Sequence, residues 1–246
     1  MNLKLLFVVA LSWEARQIIR HVEGLKSSRQ GSRALWSGRH GDVDVWILQT
    51  GVGQERAAQA VRWAQRLVMP DAVLSTGCAG GLASGPVPGE VIVAEDVVTA
   101  DGIPRPTDIA WRERYAGASG AAGLRSRRGT ILSNAVIATT AQDKRRLAAG
   151  AGALAVEMEA AAIAAWAAEA GVPFAAARVI LDSVEMPIAP DVAALSTGAG
   201  GVSPRRVLGA LIRRPLIVRE LLAVAAAART CGRALSDLHR ELLRGL

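Results

Sequence analysis

Glu157 and Glu159, with Met158 between them, stand directly before an alanine-rich run over residues 160–170. A buried core helix has little use for a Glu-Met-Glu entrance. A site that grips the vicinal hydroxyls of a sugar does, because a carboxylate accepts two hydrogen bonds from a cis-diol. Two more acids stand where apolar runs end. Asp182 closes the run 174–181, where it either caps the next element or, partly buried, protonates a leaving group. Glu14 follows the first apolar run and either favours the positive end of a helix or reaches a ligand. Glu157 either makes a structural hydrogen bond or borders the substrate, and residue types alone do not separate the two. The glycine clusters Gly51-Val52-Gly53 and Thr76-Gly77-Cys78-Ala79-Gly80-Gly81 match neither a dinucleotide fingerprint nor a phosphate loop with its lysine. Together they predict backbone amides that face a ligand with no side chains in the way.

The elements that must position these groups alternate between strand and helix. Strands are expected over 5–10, 31–38, 43–50, 72–76, 90–94 and 174–181, with short ones over 124–130, 136–139 and 154–157. Helices are expected over 13–22, 54–67, 143–149 and 160–170, the last ended by Gly171 and Pro173. Residues 39–42 read as a hairpin-like turn, and 99–126, with Pro104 and Pro106, as an active-site loop or flap. The tail 204–246 reads as mainly helical, interrupted by Pro215. This order predicts an α/β fold with a mostly parallel or mixed sheet covered on both faces. Ligands collect at the carboxyl ends of such strands, where Glu14, Cys78 and Asp182 are expected. One domain over 1–246, with a helical C-terminal region 204–246, accommodates the even spread of apolar segments.

Composition narrows the function classes. Hydrophobic residues make up 51% of the 246 positions and aromatics 4%, which suits helices packed tightly on a sheet. The net charge of +7 invites a nucleic-acid reading, but the basic residues are scattered in short groups such as Lys144, Arg145 and Arg146. No dedicated nucleic-acid partner is expected. Cys78 and Cys231 sit in unrelated contexts, match no metal or redox spacing and suggest a reducing compartment. His21, His40 and His239 identify no metal site. The apolar start stops at Ser12-Trp13-Glu14 without a cleavage site, and no apolar run reaches the roughly 18 residues of a membrane span. A cytoplasmic protein is expected.

Taken in order, five segments resemble the purine nucleoside phosphorylase and uridine phosphorylase superfamily. They are Ala10-Leu11-Ser12-Trp13-Glu14, Thr50-Gly51-Val52-Gly53, the cluster around Cys78, Val156-Glu157-Met158-Glu159-Ala160-Ala161-Ala162, and Val172-Pro173-Phe174 through Asp182. The resemblance is closer to the hydrolytic branch, which includes methylthioadenosine/S-adenosylhomocysteine nucleosidase and futalosine hydrolase. It implies a three-layer α/β/α sandwich whose central mixed sheet is partly barrel-like. It also implies that Glu159 binds the ribose 2′- and 3′-hydroxyls, Met158 packs on the sugar, and Glu157 borders the substrate. Asp182 would protonate N7 of a departing purine and Glu14 would activate the attacking water. Cys78, Ala79 and Gly80 would line the nucleophile side of the sugar. No metal or redox cofactor is implied, and phosphate is a co-substrate only if the chain is a phosphorylase.

Ser75 stands where many phosphorylases of the superfamily carry an arginine, which favours hydrolysis. Phosphorolysis stays open through Arg33, Arg39 or Arg56, which could approach phosphate within one chain or across a subunit interface, and a noncatalytic nucleoside-binding protein is the third reading. Cys78 and Leu181 replace serines usual in the nucleosidases, which turns attention from soluble thioether substrates. The pattern is most similar to the hopanoid-associated phosphorylase/nucleosidase group, through Ala100-Asp101-Gly102 and the arginine-rich tail. That resemblance implies a lipid-linked nucleoside, adenosylhopane, as substrate. It also implies peripheral membrane contact through Arg205, Arg206, Arg213, Arg214 and Arg219, with a packed amphipathic tail as the alternative. A homodimer is the expectation from the nucleosidase branch.

Overall fold

Residues Leu5 to Val9 are all buried, and their side chains divide between two apolar clusters. Leu5, Phe7 and Val9 join one and Leu6 and Val8 the other, as the two-residue period of a strand requires. Such a strand belongs inside a sheet covered on both faces. It is β1 (Lys4–Val9) of a computed structural model that describes residues 2–82, 85–99, 102–138, 140–184 and 217–246. The chain continues through α1 (Ser12–Ile19), β2 (Glu23–Gln30), β3 (Arg33–His40), β4 (Val43–Gln49), α2 (Gln54–Ala64) and β5 (Ala72–Gly81). Then come β6 (Val91–Val98), β7 (Arg105–Pro106), α3 (Ile109–Ala121), β8 (Ser126–Ser133), α4 (Ala141–Ala151) and β9 (Ala155–Glu157). α5 (Ala160–Ala170), β10 (Phe174–Asp182) and α6 (Ile217–Arg244) complete the described elements.

The sheet closes partly on itself. β5 pairs with β10, β10 with β6, β6 with β8, β8 with β9, and β9 again with β5. From this ring the sheet fans outward from β5 through β1, β4, β3 and β2. Parallel pairs (β1 with β4 and β5, β10 with β5) mix with antiparallel ones (β2–β3–β4, β10–β6). Residues of α1, α3 and α6 pack on one face, with Ile18, Tyr115 and Leu238 in that cluster. Those of α2 and α5 cover the other, with Val61 and Ile163. This is the expected three-layer α/β/α sandwich with a mixed, partly barrel-like sheet.

Several local expectations are corrected. Within 99–126, Asp108 caps α3 by accepting from the Trp111 amide at 3.0 Å, and Trp111, Tyr115 and Ala118 face the core. Interleaved glycines and alanines hide that apolar spacing from the sequence. β2 was not foreseen because all eight of its residues are exposed; pairing to β3 alone makes it a strand, and its polar character suits a sheet edge. β5 runs through Gly81 rather than ending at Thr76, because β9 and β10 both pair with the glycine cluster. Residues 136–138 form no strand. Thr139, Ala100, Asp101, Pro215 and the arginines at 205, 206, 213 and 214 lie outside the described residues, as does the side chain of Arg219.

The two cysteines, expected to be unrelated, are joined in a disulfide across 153 residues. The physical reason is tertiary: α6 lies against the sheet and sets the buried Cys231 beside Cys78 of β5. Their pairing removes them as an argument for a reducing compartment. No described helix is long and apolar enough to cross a membrane.

Candidate active site

β1, β5 and β10 run parallel, so their carboxyl ends open on the same side of the sheet. There they border a cavity of about 460 Å³. All the residues singled out in the sequence line it: Glu14, Cys78, Ala79, Gly80, Glu157, Met158, Glu159 and Asp182. Among the described residues no cluster of three or more His, Cys, Asp or Glu side chains could hold a metal ion.

Glu14 lies in the first turn of α1 and is buried. Its Oε2 accepts from the Leu11 amide at 2.9 Å and its Oε1 from the Cys78 amide at 2.8 Å. The second bond requires the carboxylate to lie over β5, and Gly77 makes that possible. A Cβ at Gly77 would stand 2.7 Å from Glu14 Oε1, and its φ of +143° also favours glycine. Burial pushes the Glu14 carboxyl above its ordinary range, against the opposing pull of the Cys78 and Leu11 amides.

Glu157 and Glu159 divide their work. Glu157 receives the amides of Glu159 at 3.0 Å and of Ala160 at 2.9 and 3.1 Å, so it holds the start of α5, where negative charge is favoured. It also receives Arg178 Nη2 at 2.7 Å. That guanidinium is buried and donates to Ser75 Oγ at 2.8 Å as well. Glu159, at the N-cap of α5, accepts from the Gly53 amide at 2.7 Å. Loss of solvent, then the neighbouring Glu157 charge, pushes the Glu159 carboxyl up to about 8. The amides of both glycine clusters thus do more than face a ligand: Gly53 and Cys78 grip the carboxylates that face it.

Asp182 ends β10, lines the cavity and is ion-paired with Lys144 of α4. Lys144 is completely buried, unlike the exposed Arg145 and Arg146 beside it. Neither Lys144 nor Arg178 was picked out from the sequence as a site residue. For Arg178 the available signal was an arginine inside the otherwise apolar run Phe-Ala-Ala-Ala-Arg-Val-Ile-Leu. For Lys144 there was none, because a Lys-Arg-Arg run ordinarily marks a solvated face. Arg33, Arg39 and Arg56 do not line the cavity; Arg33 bonds Gln59 and Arg39 lies near Asp42 and Asp44.

The raised carboxyls give a stability signature. Glu159 holds its proton to higher pH in the folded chain than in the unfolded one, and Glu14 shifts the same way. Between the two titrations the folded state binds more protons, so stability falls as pH rises. This contribution is complete below the unfolded value of 4.5 and lost as pH passes about 8. The melting temperature of the ligand-free protein is therefore expected to fall between pH 5 and pH 8.5. Glu159→Gln is expected to flatten that slope in differential scanning calorimetry; an unchanged slope would show that Glu159 is ionised throughout.

The chain is similar to known proteins in sequence over part of its length and in fold over nearly all of it. The chain is 30% identical over 94 residues to a 5′-methylthioadenosine/S-adenosylhomocysteine nucleosidase of Chromohalobacter salexigens, covering 38% of this chain and 40% of that protein. A nucleosidase of the same name from Haemophilus influenzae is 29% identical over 94 residues, 38% of this chain and 41% of that one. The matched region thus spans about 40% of the length of these curated relatives. Among solved structures, futalosine hydrolase of Helicobacter pylori superposes with a TM-score of 0.78 at 16% identity, over 100% of this chain and 99% of that one. The Neisseria meningitidis 5′-methylthioadenosine/S-adenosylhomocysteine nucleosidase, in complex with methylthio-immucillin-A, gives 0.76 at 19% identity over 99% of each chain. The family model of the phosphorylase superfamily matches residues 4–196, a span that contains every residue singled out at the cavity, and the chain belongs to that superfamily.

Proposed function

We propose that this chain is a purine nucleoside N-glycosidase that releases adenine from a 5′-substituted adenosine. The observation that carries the proposal is the convergence of Glu14, Glu159 and Asp182 on one cavity. Ionised, Glu159 accepts hydrogen bonds from the ribose 2′- and 3′-hydroxyls, with Met158 against the sugar and Glu157 holding the start of α5. Glu14 takes a proton from the attacking water beside Cys78, Ala79 and Gly80. Asp182 gives a proton to N7 as the C1′–N9 bond breaks and its electron pair passes to the purine. The carboxylates around the sugar offset the positive charge that develops on it. Acid, base and water suffice for this reaction.

Hydrolysis is favoured over phosphorolysis by charge. Among the described residues that line the cavity, Arg178 is the one cation, and Glu157 neutralises it. Phosphate would meet the buried Glu14 with no cation to compensate. The part of the lining away from the carboxylates bears on the 5′-substituent. Trp13, Val136, Ile137, Leu181, Leu221 and Val224 make it apolar, and Val136 and Ile137 are 71% and 53% exposed. We propose a lipid-linked substituent, with adenosylhopane as the specific candidate. We further propose that residues 1–246 work as one nucleoside-binding domain in a cytoplasmic homodimer, contacting the membrane surface where such a substrate resides.

The test follows adenine release from adenosylhopane, 5′-methylthioadenosine, S-adenosylhomocysteine and inosine, each with and without phosphate, and identifies the sugar. Phosphate-independent release with a free ribosyl product is expected, fastest from adenosylhopane. Strict phosphate dependence with a ribose-1-phosphate product would make the chain a phosphorylase. Nucleoside binding without base release would make it a binding protein.

A further inference from the structure

Lys144 presents an unusual combination: a lysine on a polar helix, wholly removed from solvent, with every proton directed at a single turn of chain. α4 begins at Thr140, whose hydroxyl accepts from the Asp143 amide at 3.0 Å. This start sends Lys144 inward while Arg145 and Arg146 point out. Its Nζ donates to Asp182 Oδ2, to the Asp182 carbonyl at 3.3 Å and to the Ser183 carbonyl at 3.1 Å. Three acceptors require the three hydrogens of an ammonium. A buried cation of this kind is costly for stability alone, and an apolar side chain would fill the space without that cost. A Cβ at Gly80 would lie 3.2 Å from Asp182 Oδ1 and 3.3 Å from Lys144 Nζ, so the pair stands directly against the cavity wall.

We propose that Lys144 is a positioning residue that sets the acid strength of Asp182. The inference rests on the nucleosidase reading of the cavity. In that reaction the Asp182 O–H bond breaks, N7–H forms, and the C1′–N9 electrons pass to the purine. Lys144 keeps its three protons throughout. Its charge stabilises the Asp182 carboxylate, which is the species that forms as the proton leaves, so it favours the transition state over the ground state. The same charge makes Asp182 lose its proton at lower pH, which confines the acid to the acidic side of the profile. The other ionisable groups around the cavity are Glu14 from α1, Glu157 from β9, Glu159 at α5 and Arg178 from β10. Glu90, just before β6, is closed off by Arg127 at 2.6 Å.

The experiment compares pH profiles of kcat/KM on 5′-methylthioadenosine for the wild type and for Lys144→Met and Lys144→Gln. The maximum is expected to fall by about 10²-fold, as for impaired acid catalysis, while the lower limb, which reports Asp182 because burial raises Glu14, moves up by about one pH unit or more. A lower maximum with that limb unmoved would reduce Lys144 to a packing role and overturn the proposal. A second measurement needs neither the Lys144 variants nor any turnover. Carbon-13 NMR of wild-type protein labelled at aspartate carboxyls, assigned with Asp182→Asn, should show Asp182 ionised to lower pH than the exposed aspartates. Titration of Asp182 at or above the ordinary aspartate range would overturn the proposal even if adenine release is confirmed. Absence of adenine release together with an acid-shifted Asp182 would instead fault the reading of the cavity alone.

Discussion

Glu14→Gln is expected to lower kcat for adenine release by about 10³-fold, within the range of lost general-base catalysis, while far-ultraviolet circular dichroism stays unchanged. The side chain sits between two amide donors, Leu11 and Cys78. A carboxylate satisfies both, whereas a carboxamide must turn its NH2 toward one of them, so the water site is disturbed as well as deprived of its base. The pH profile separates this from general damage. Burial raises the Glu14 carboxyl, and a base works only when ionised, so wild-type activity should climb with pH on the acid side. In the variant that climb should disappear. Retention of the acid limb at reduced rate would assign the limb to another group, with Glu159 the first to examine.

Arg178→Met should act on stability rather than first on chemistry. The Arg178 and Glu157 side chains are 3% and 1% exposed and meet at 2.7 Å. Removing the guanidinium leaves a buried carboxylate with amide donors but no countercharge, at a cost of about 3–5 kcal/mol. In a chain of this size that lowers the melting temperature by roughly 10 °C. The double variant Arg178→Met, Glu157→Gln should recover part of the loss, because the uncompensated charge is gone. If the single variant melts within a degree or two of wild type, water or rearrangement already compensates Glu157, and the ion pair does not organise the site. Since Glu157 also holds the Glu159 and Ala160 amides, the variant should weaken substrate binding in calorimetric titrations too.

The fold was legible where a local period carried it. β1 alternates between two cores, α5 is apolar on nearly every side and stops at Gly171 in the left-handed region, and β10 is an apolar run that ends in an acid. β2 and α3 were illegible for opposite reasons. β2 has no apolar face and exists through its partner, while small residues in α3 dilute a core-facing row that Trp111, Tyr115 and Ala118 nevertheless form.

By itself the sequence singled out the carboxylates that line the cavity, because Glu14, Glu157, Glu159 and Asp182 interrupt apolar or small-residue segments. It also placed Cys78, Ala79 and Gly80 in a glycine turn just past the carboxyl end of a strand, where parallel sheets open, although β5 itself runs on through Gly81. Only the tertiary structure decided what each acid is bound to. Glu14 depends on the amide of Cys78, Glu159 on that of Gly53, Glu157 on Arg178 and Asp182 on Lys144. These partners lie 64, 106, 21 and 38 residues away in the chain, and no helical or strand period extends that far. The same holds for the Cys78–Cys231 bond, which exists because α6 packs across β5 and β10. Residue type records that a charge is present; the environment that sets its protonation is assembled from distant segments once the sheet has closed.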